Sequence, residues 1–186
     1  MFYTYVMYIS IDVGIKNLAY VIYDTDIVEW KVIELCDKTQ NASKLNMIEV
    51  GKKLYEALNT IPYTLNEIII ENQIGQNAIR MKMLQGMITF YFISKGMTNI
   101  HYWNAGNKLK RFIKTKTTYS QRKKYSVQIT REIVTKSFPL QQAYFETHKK
   151  KDDLADCFLQ LLDFLGKQNK LPEPIDLICN AINLKF

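Results

Sequence analysis

Residues 66–71, with the sequence NEIIIE, form an apolar run typical of a strand that is buried on both faces of a parallel sheet. Helical patterns lie on either side of this strand, at residues 43–61 and 75–96. We expect Ser43 to be the N-cap of the first helix and Pro62 to end it. A buried strand between two helices predicts a sheet that carries helices on its faces.

The first 35 residues predict three strands joined by short turns, at residues 5–13, 18–24 and 26–35. These runs are rich in β-branched and aromatic side chains, which favour strands. Gly14 and Asn17 bound the first turn, and we expect them to use positive φ there. Three consecutive strands with short turns form an antiparallel meander.

A fifth strand at residues 99–104 and helices at 120–136 and 152–167 follow, with a short final helix after the breaker LPEP at 171–174. This order predicts an α/β fold with a mixed five-stranded sheet. An antiparallel three-strand meander joins two parallel strands in it, and helices flank the sheet. The order matches the ribonuclease H-like architecture. We expect one domain spanning residues 1–186.

The net charge of +7 is unevenly distributed, because the chain has no Asp or Glu between Asn72 and Arg131. A long segment that carries only basic charge is typical of a surface that binds nucleic acid. The alternative is a solvated face that lysine keeps soluble. The candidate contacts with nucleic acid are Lys108, Lys110, Arg111, Lys114, Lys116, Arg122, Lys123 and Lys124.

The three cysteines, Cys36, Cys157 and Cys179, are far apart and odd in number. They match neither a disulfide framework nor a zinc-ligand pattern, so we expect reduced thiols in an intracellular protein. The apolar run MITFYFI at 87–93 is too short to span a bilayer. The first residues lack the basic region of a secretory signal, and we expect no membrane partner.

Acidic residues stand at places where an unpaired carboxylate is costly to bury. Asp12 ends the first strand, Glu71 ends the apolar strand, and Asp153 and Asp156 share one face at the start of a helix. Asp152 adds a second partner for Asp156. Like charges that converge repel one another unless a cation lies among them. Hard oxygen ligands suit Mg²⁺ or Mn²⁺, so the pattern predicts a divalent metal site.

Each of these carboxylates also has a purely structural explanation. Asp12 would suit the cap of a turn, and Glu71 would suit an ion pair with a lysine at a strand end. Asp152 and Asp153 would be favoured by the helix dipole at a helix N-terminus. Taken together beside the long basic segment, they are better explained by one metal site.

Four stretches of the chain resemble RuvC-type Holliday junction resolvases, the poxviral and fungal mitochondrial members above all. The stretch ISIDVGIKNLAY is similar to their first motif, and IIIEN is similar to their second acidic motif. The stretch RKKYSV, followed by KKKDDLADCF, resembles the basic segment and the acidic helix of the poxviral enzymes. The resemblance runs in order along nearly the whole chain, except for segment 105–119.

The resemblance implies a homodimeric, metal-dependent endonuclease that cuts two symmetric strands of a four-way or other branched DNA junction. Residue by residue, the ligands of two Mg²⁺ or Mn²⁺ ions would be Asp12, Glu71, Asp153 and Asp156. In this family a basic side chain assists catalysis by neutralising charge on the attacked phosphate. Lys123 is the candidate, with Lys124 and Lys116 as alternatives, and a plain phosphate contact is its alternative role. The resemblance also implies processing of viral genome concatemers in the host cytoplasm.

Two other functions remain open. A ribonuclease H or other structure-selective nuclease would use the same fold as a monomer, and a non-catalytic binding module would gain nothing from clustered carboxylates. A junction enzyme needs two coupled sites. We expect its self-complementary face on the 75–96 helix, at Met81, Leu84, Ile88 and Phe92. Of the histidines, we expect His101 in a strand and His148 in a solvated loop.

Overall fold

The computed structural model describes residues 6–75 and 78–182. These residues form five strands and six α-helices. The order is β1 (Tyr8–Asp12), β2 (Asn17–Tyr23), β3 (Ile27–Glu34), α1 (Met47–Asn59), β4 (Glu67–Asn72), α2 (Ile79–Ser94), β5 (Ile100–Asn104), α3 (Tyr119–Ser137), α4 (Pro139–Thr147), α5 (Lys151–Lys167) and α6 (Glu173–Ala181). Short 3-10 turns at Ala42–Lys44 and Ala105–Asn107 precede α1 and follow β5.

The five strands form one sheet in the order β3-β2-β1-β4-β5. The first three strands pair antiparallel as a meander, whereas β4 runs parallel to β1, and β5 runs parallel to β4. The predicted mixed five-stranded sheet flanked by helices is therefore confirmed. Because β1 and β4 are parallel neighbours, their carboxyl ends lie at the same edge of the sheet.

Strand β4 is buried on both faces, as its sequence predicts. Ile68 and Ile70 pack on the face that α1 and α2 cover, and Ile69 packs on the face that α3 to α6 cover. All three side chains are fully buried. Burial of one such side chain contributes about 1.5–3 kcal/mol to stability. The helices cover both faces in this way and leave the strand ends free to carry a site.

The turn after β1 differs from the predicted one. Neither Gly14 nor Asn17 has a positive φ, so that prediction is wrong. Gly14 is needed for another reason, because a Cβ at this position would lie 2.1 Å from the carbonyl oxygen of Asn17. The close backbone approach turns the chain directly after Asp12.

Helix α1 begins later than predicted. Ser43 lies in the preceding 3-10 turn and does not cap the helix. Asn46 is the N-cap instead, and its side chain accepts a hydrogen bond of 2.9 Å from the N–H of Ile48.

Helix α4 is absent from the predicted order, which has no element between the helices at 120–136 and 152–167. Pro139 opens the helix at a position where the missing N–H costs nothing. Phe145 is its one buried residue, and the ring stacks on Trp30 of β3 at 5.3 Å. One buried position in nine residues is too weak a pattern to predict a helix.

The predicted self-complementary face of α2 is wrong, because its residues belong to the core. Leu84, Ile88 and Phe92 are buried against the sheet and α1, and Met81 packs at the edge of the same cluster. Helical spacing identified an apolar stripe, but a stripe that faces the core has the same spacing as one that faces a partner. In the part of the chain that the structure describes, no helix has the length and apolar character needed to cross a bilayer.

Candidate active site

Asp12 and Glu71 lie side by side at one edge of the sheet. Asp12 is the last residue of β1, and Glu71 is the last but one of β4. Ile11 is paired with Ile70 in the parallel register, so the next residue on each strand carries its carboxylate to the same point. The structure therefore brings these two predicted site residues together.

Helix α5 brings the other two predicted acids to the same edge. The buried amide of Gln160 donates hydrogen bonds to the hydroxyl of Ser10 at 3.1 Å and to the carbonyl of Ile11 at 3.0 Å. These bonds fix α5 against β1, and the first turns of the helix then carry Asp153 and Asp156 over the strand ends. All four predicted acids line one cavity of about 680 Å³.

Lys108 lies at the centre of the acidic cluster. Its Nζ is 2.8 Å from Oδ1 of Asp12, 3.1 Å from Oε1 of Glu71 and 3.7 Å from Oδ2 of Asp156. Its side chain is only 5% exposed. Sequence reasoning placed Lys108 among the surface contacts to nucleic acid, and the structure places it in the candidate active site instead.

The position of Lys108 follows from the end of β5. Asn104 ends that strand, and its side chain accepts the N–H of Gly106 at 2.8 Å, which folds the chain into a 3-10 turn. Lys108 follows this turn directly. Because β5 pairs parallel to β4, a residue just beyond its end lies at the same edge as Glu71. The predicted parallel pairing of the two strands therefore already indicates that residues just after β5 lie beside Glu71.

Two further polar residues orient the carboxylates, and sequence reasoning missed both. The side-chain amide of Gln73 donates to Oε2 of Glu71 at 2.7 Å, while its backbone N–H donates to Oε1 of Gln85 at 2.8 Å. The buried hydroxyl of Ser126 on α3 hydrogen-bonds to Asp156. Each of these two carboxylates therefore has one oxygen engaged by a neutral group.

Asp153 has an unsatisfied oxygen. Its Oδ2 is buried and accepts no hydrogen bond from any group in residues 6–75 and 78–182. The nearest cation is the Nζ of Lys150, at 3.8 Å. A buried carboxylate oxygen without a donor is costly, so this position favours a bound cation.

Burial and crowding raise the pKa of three carboxyl groups in the cluster. Burial, followed by the charge of Asp12, raises the pKa of Glu71 to about 7. Burial, followed by the charge of Asp152, raises the pKa of Asp153 to about 6. Burial also raises the pKa of Asp156. For Lys108, burial acts to lower the pKa, but the three neighbouring carboxylates outweigh it and raise the pKa above its ordinary value.

The donor set fits a divalent metal ion, although the carboxylates are not yet arranged around one. Within residues 6–75 and 78–182, no three acidic, His or Cys side chains are grouped closely enough to hold a metal ion as they stand. The ammonium group of Lys108 occupies the point on which three of the carboxylates converge. Their oxygens are the hard ligands that Mg²⁺ and Mn²⁺ prefer, and Asp153 lines the same cavity.

Lys123 lies at the rim of the cavity, away from the acidic centre. Its Nζ is 2.5 Å from Oδ2 of Asp152, and its side chain is 40% exposed. The hydrogen bond to Asp152 raises the pKa of Lys123, so its ammonium group stays charged. The same bond lowers the pKa of Asp152 against the effect of burial.

The other predicted basic contacts divide into two groups. Arg111 is bound to α6, where its guanidinium donates to Asp176 at 2.6 Å and to Asn180 at 2.7 Å. These bonds connect the segment after β5 to the last helix. Exposed basic side chains face solvent at Lys110, Lys114, Lys116, Arg122 and Lys124.

Solved structures of other proteins share this architecture. A crystal structure of the fowlpox virus Holliday junction resolvase has a TM-score of 0.62 at 18% identity, over 87% of this chain and 99% of that chain. The fowlpox virus resolvase in complex with Holliday junction DNA has a TM-score of 0.62 at 20% identity, over 87% and 98%. Thermus thermophilus RuvC with a Holliday junction substrate has a TM-score of 0.54 at 12% identity, over 89% and 98%.

The fold is the ribonuclease H-like fold of RuvC and the fowlpox resolvase, with an acidic cluster at the carboxyl ends of its parallel strands. None of the curated protein sequences matches the chain. The family described as Poxvirus A22 protein matches residues 6–168. Because this match covers most of the chain, the protein belongs to the Poxvirus A22 protein family.

Proposed function

We propose that this protein is a metal-dependent endonuclease that resolves four-way and other branched DNA junctions by paired, symmetric phosphodiester hydrolysis. The observation that carries the proposal is the convergence of Asp12, Glu71 and Asp156 on one buried point, with Asp153 in the same cavity. The fowlpox relative is a Holliday junction resolvase, which supports the choice of substrate. The viral family supports a role in genome concatemer processing in the host cytoplasm.

Asp12, Glu71, Asp153 and Asp156 are the residues that would hold one or two Mg²⁺ or Mn²⁺ ions. Ions bound there would activate the attacking water and neutralise charge on the phosphate. The ammonium group of Lys108 offsets part of the negative charge of the cluster, and a metal ion bound there would displace it from at least part of its contact with the carboxylates. Gln73 holds Oε2 of Glu71, while Oε1 of the same carboxylate faces Lys108, and Ser126 hydrogen-bonds to Asp156.

Lys123 is the proposed basic side chain at the scissile phosphate. It lines the same cavity as Asp12 and Glu71, so a phosphate above the carboxylates would be within its reach. Its partner Asp152 orients the ammonium group. The proposed DNA surface continues over the exposed basic side chains Lys110, Lys114, Lys116, Arg122 and Lys124.

A homodimer is proposed to supply the two cuts, and the exposed side of α2 is its proposed interface. Large apolar side chains are exposed at Ile79, Met83, Phe90 and Ile93. With Gly86, these positions alternate steps of four and three residues, which is the spacing of a coiled-coil seam. The Gly86 backbone is open, with no atom within 4 Å of a Cβ built there. A second copy could therefore approach closely at Gly86 while both seams bury their apolar side chains.

One cleavage assay tests the proposal. A synthetic four-way DNA junction, an RNA–DNA hybrid and a plain DNA duplex are each incubated with the protein, with Mg²⁺, Mn²⁺ or EDTA. We expect metal-dependent, symmetric cuts in the junction and little cutting of the plain duplex. Preferential cutting of the hybrid would instead identify a ribonuclease H. Failure to cut any substrate while binding the junction would identify a non-catalytic binder.

A further inference from the structure

A second groove, of about 470 Å³, lies next to the cavity of the four acids, between α3 and the start of α5. Its charged lining consists of Lys123, Lys124, Arg131, Lys149, Lys151 and Asp152. We propose that this groove is a phosphate-binding site for the DNA backbone that adjoins the cleaved position, an inference that rests on the function proposed above. Lys149, Lys151 and Arg131 are the residues that it adds to the DNA surface.

The cations of the groove outnumber the acids that could neutralise them. Asp152 is already bound by Lys123 at 2.5 Å, and Arg131 is bound by Glu146 on α4. Neither Lys149 nor Lys151 forms a salt bridge within the two described ranges of the chain. Neighbouring ammonium groups without carboxylate partners repel one another, and an anion among them relieves the repulsion.

The turn that carries these two lysines is held in a fixed shape. Nδ1 of His148 accepts the backbone N–H of Lys150 at 3.0 Å, and the Nζ of Lys151 donates to the carbonyl of His148 at 3.1 Å. His148 thus has a structural part in the turn. A fixed turn loses less conformational entropy when a ligand binds than a free loop does.

The length of the groove indicates a chain of phosphates and not a single anion. Lys124 and Arg131 are seven residues apart on one face of α3, which is about 10 Å along the helix axis. Successive phosphates of one DNA strand advance about 3.4 Å along the helix axis. The cations of the groove are thus spread over more than one nucleotide.

The groove is continuous with the candidate active site. Lys123 lines both the groove and the cavity of the four acids. At the start of α5, Asp152 faces the groove and the next residue, Asp153, faces the cavity. A strand with one phosphate above the carboxylates would continue across Lys123 into the groove, so the two sites would bind parts of one strand.

The double substitution K149A/K151A tests the groove. Loss of Lys151 does not harm α5, because a positive charge at a helix N-terminus opposes the helix dipole. It does remove the hydrogen bond from Lys151 to the carbonyl of His148, which the arginine variant below controls for. Binding of a four-way DNA junction is measured in EDTA by fluorescence anisotropy between low and moderate salt. We expect about tenfold weaker binding and a salt slope that is lower by about 2, because each phosphate contact contributes about 0.9 to the slope.

Two further variants serve as controls. K149R/K151R keeps both charges, and we expect it to bind like the wild type. K44A/K53A removes two exposed lysines near and on α1, on the other face of the sheet, and we expect it to keep the wild-type salt slope. If K149A/K151A bound the junction as tightly as K44A/K53A does, the groove would not be a phosphate-binding site. Weak binding by K149R/K151R would also overturn it, because the loss would then come from the shape of the turn.

This binding experiment, run beside the metal-dependent cleavage assay described above, separates the groove from the proposed function. If the wild type binds a plain duplex as tightly as the junction and cuts neither, the proposed function fails. The comparison of the three variants on the duplex still tests whether phosphates bind in the groove. If the wild type binds and cuts the junction and all three variants bind it equally tightly, the proposed function is supported. The proposed phosphate-binding role of the groove is then wrong.

Discussion

The Nζ of Lys108 lies 2.8 Å from Oδ1 of Asp12, although 96 residues separate them in the chain. Asp12 ends β1 and Lys108 follows β5, and these two strands are separated in the sheet by β4. The contact therefore forms only when all three parallel strands are in place. It puts a fixed positive charge where the proposed metal ions would bind.

Replacement of Lys108 with methionine removes the charge and keeps most of the side-chain volume. Without metal at pH 8, we expect K108M to lose about 3–5 kcal/mol of stability, because it leaves buried carboxylates without a cation. Saturating Mn²⁺ should raise the melting temperature of K108M more than that of the wild type, since the ion no longer competes with an ammonium group. Differential scanning fluorimetry with and without Mn²⁺ measures both effects.

The control for this variant is K110M, at an exposed lysine two residues along the chain. We expect wild-type stability and the wild-type response to Mn²⁺. If K108M responded to Mn²⁺ no more than K110M does, Lys108 would not compete with the metal.

The substitution D12N tests the role of the acid at the end of β1. We expect cleavage of the four-way junction to fall by roughly 1,000-fold, because a metal ion supplies several kcal/mol of transition-state stabilisation. Junction binding in EDTA should stay close to the wild type, because it depends on the basic surface. D37N, in an exposed loop, should cut normally. A D12N variant that cuts as fast as the wild type in Mg²⁺ would exclude Asp12 from the site.

The raised pKa of Glu71 predicts how stability depends on pH. Between its ordinary value of about 4.5 and the folded value of about 7, the folded protein holds more protons than the unfolded chain. The stability of the metal-free protein therefore falls as pH rises through this range. We expect E71Q to be more stable than the wild type by about 1–3 kcal/mol at pH 8, with little difference at pH 4.

Urea unfolding in EDTA at pH 4, 6 and 8 measures this dependence. E56Q, at an exposed glutamate on α1, should follow the wild type at each pH. A constant difference between E71Q and the wild type across all three pH values would show that Glu71 does not titrate there.

If the protein forms the proposed homodimer through the seam on α2, Phe90 is expected to be essential for it. Phe90 is 70% exposed in the single chain, and F90D would place a charge in a dimer interface. We expect a monomer in sedimentation velocity, and junctions that are nicked on one strand in place of two coupled cuts. L140D, at the 87% exposed Leu140 of α4, is the matched control and should stay dimeric. A dimeric F90D variant would exclude this seam.

Much of the fold and part of the site could be predicted from sequence because the relevant signals are local. The alternation in the meander and the apolar run of β4 are properties of short segments. Together they indicate which segments form the strands of the sheet. Asp12 and Glu71 stand at strand ends, so the parallel pairing alone brings them together. The acids of α5 follow because the apolar side of that helix must face the sheet.

The remaining features depend on contacts between distant segments. Lys108 stands in a basic segment that has no period, and its burial follows only from the neighbours that the sheet gives it. Arg111 likewise meets Asp176, a partner 65 residues away. The two sides of α2 each carry apolar side chains at helical spacing, so only the position of the helix on the sheet decides which side is buried. The N-cap of α1 is Asn46 and not the predicted Ser43, because Asn46 stands closer to the first buried turn of the helix.

The metal site is tested most directly by a crystal of the protein soaked in Mn²⁺ and measured at the manganese edge. We expect anomalous peaks among the carboxylates of Asp12, Glu71, Asp153 and Asp156, with the ammonium group of Lys108 displaced from Asp12. Absence of any peak at saturating Mn²⁺, with Lys108 still bonded to Asp12, would contradict the proposed metal-dependent nuclease.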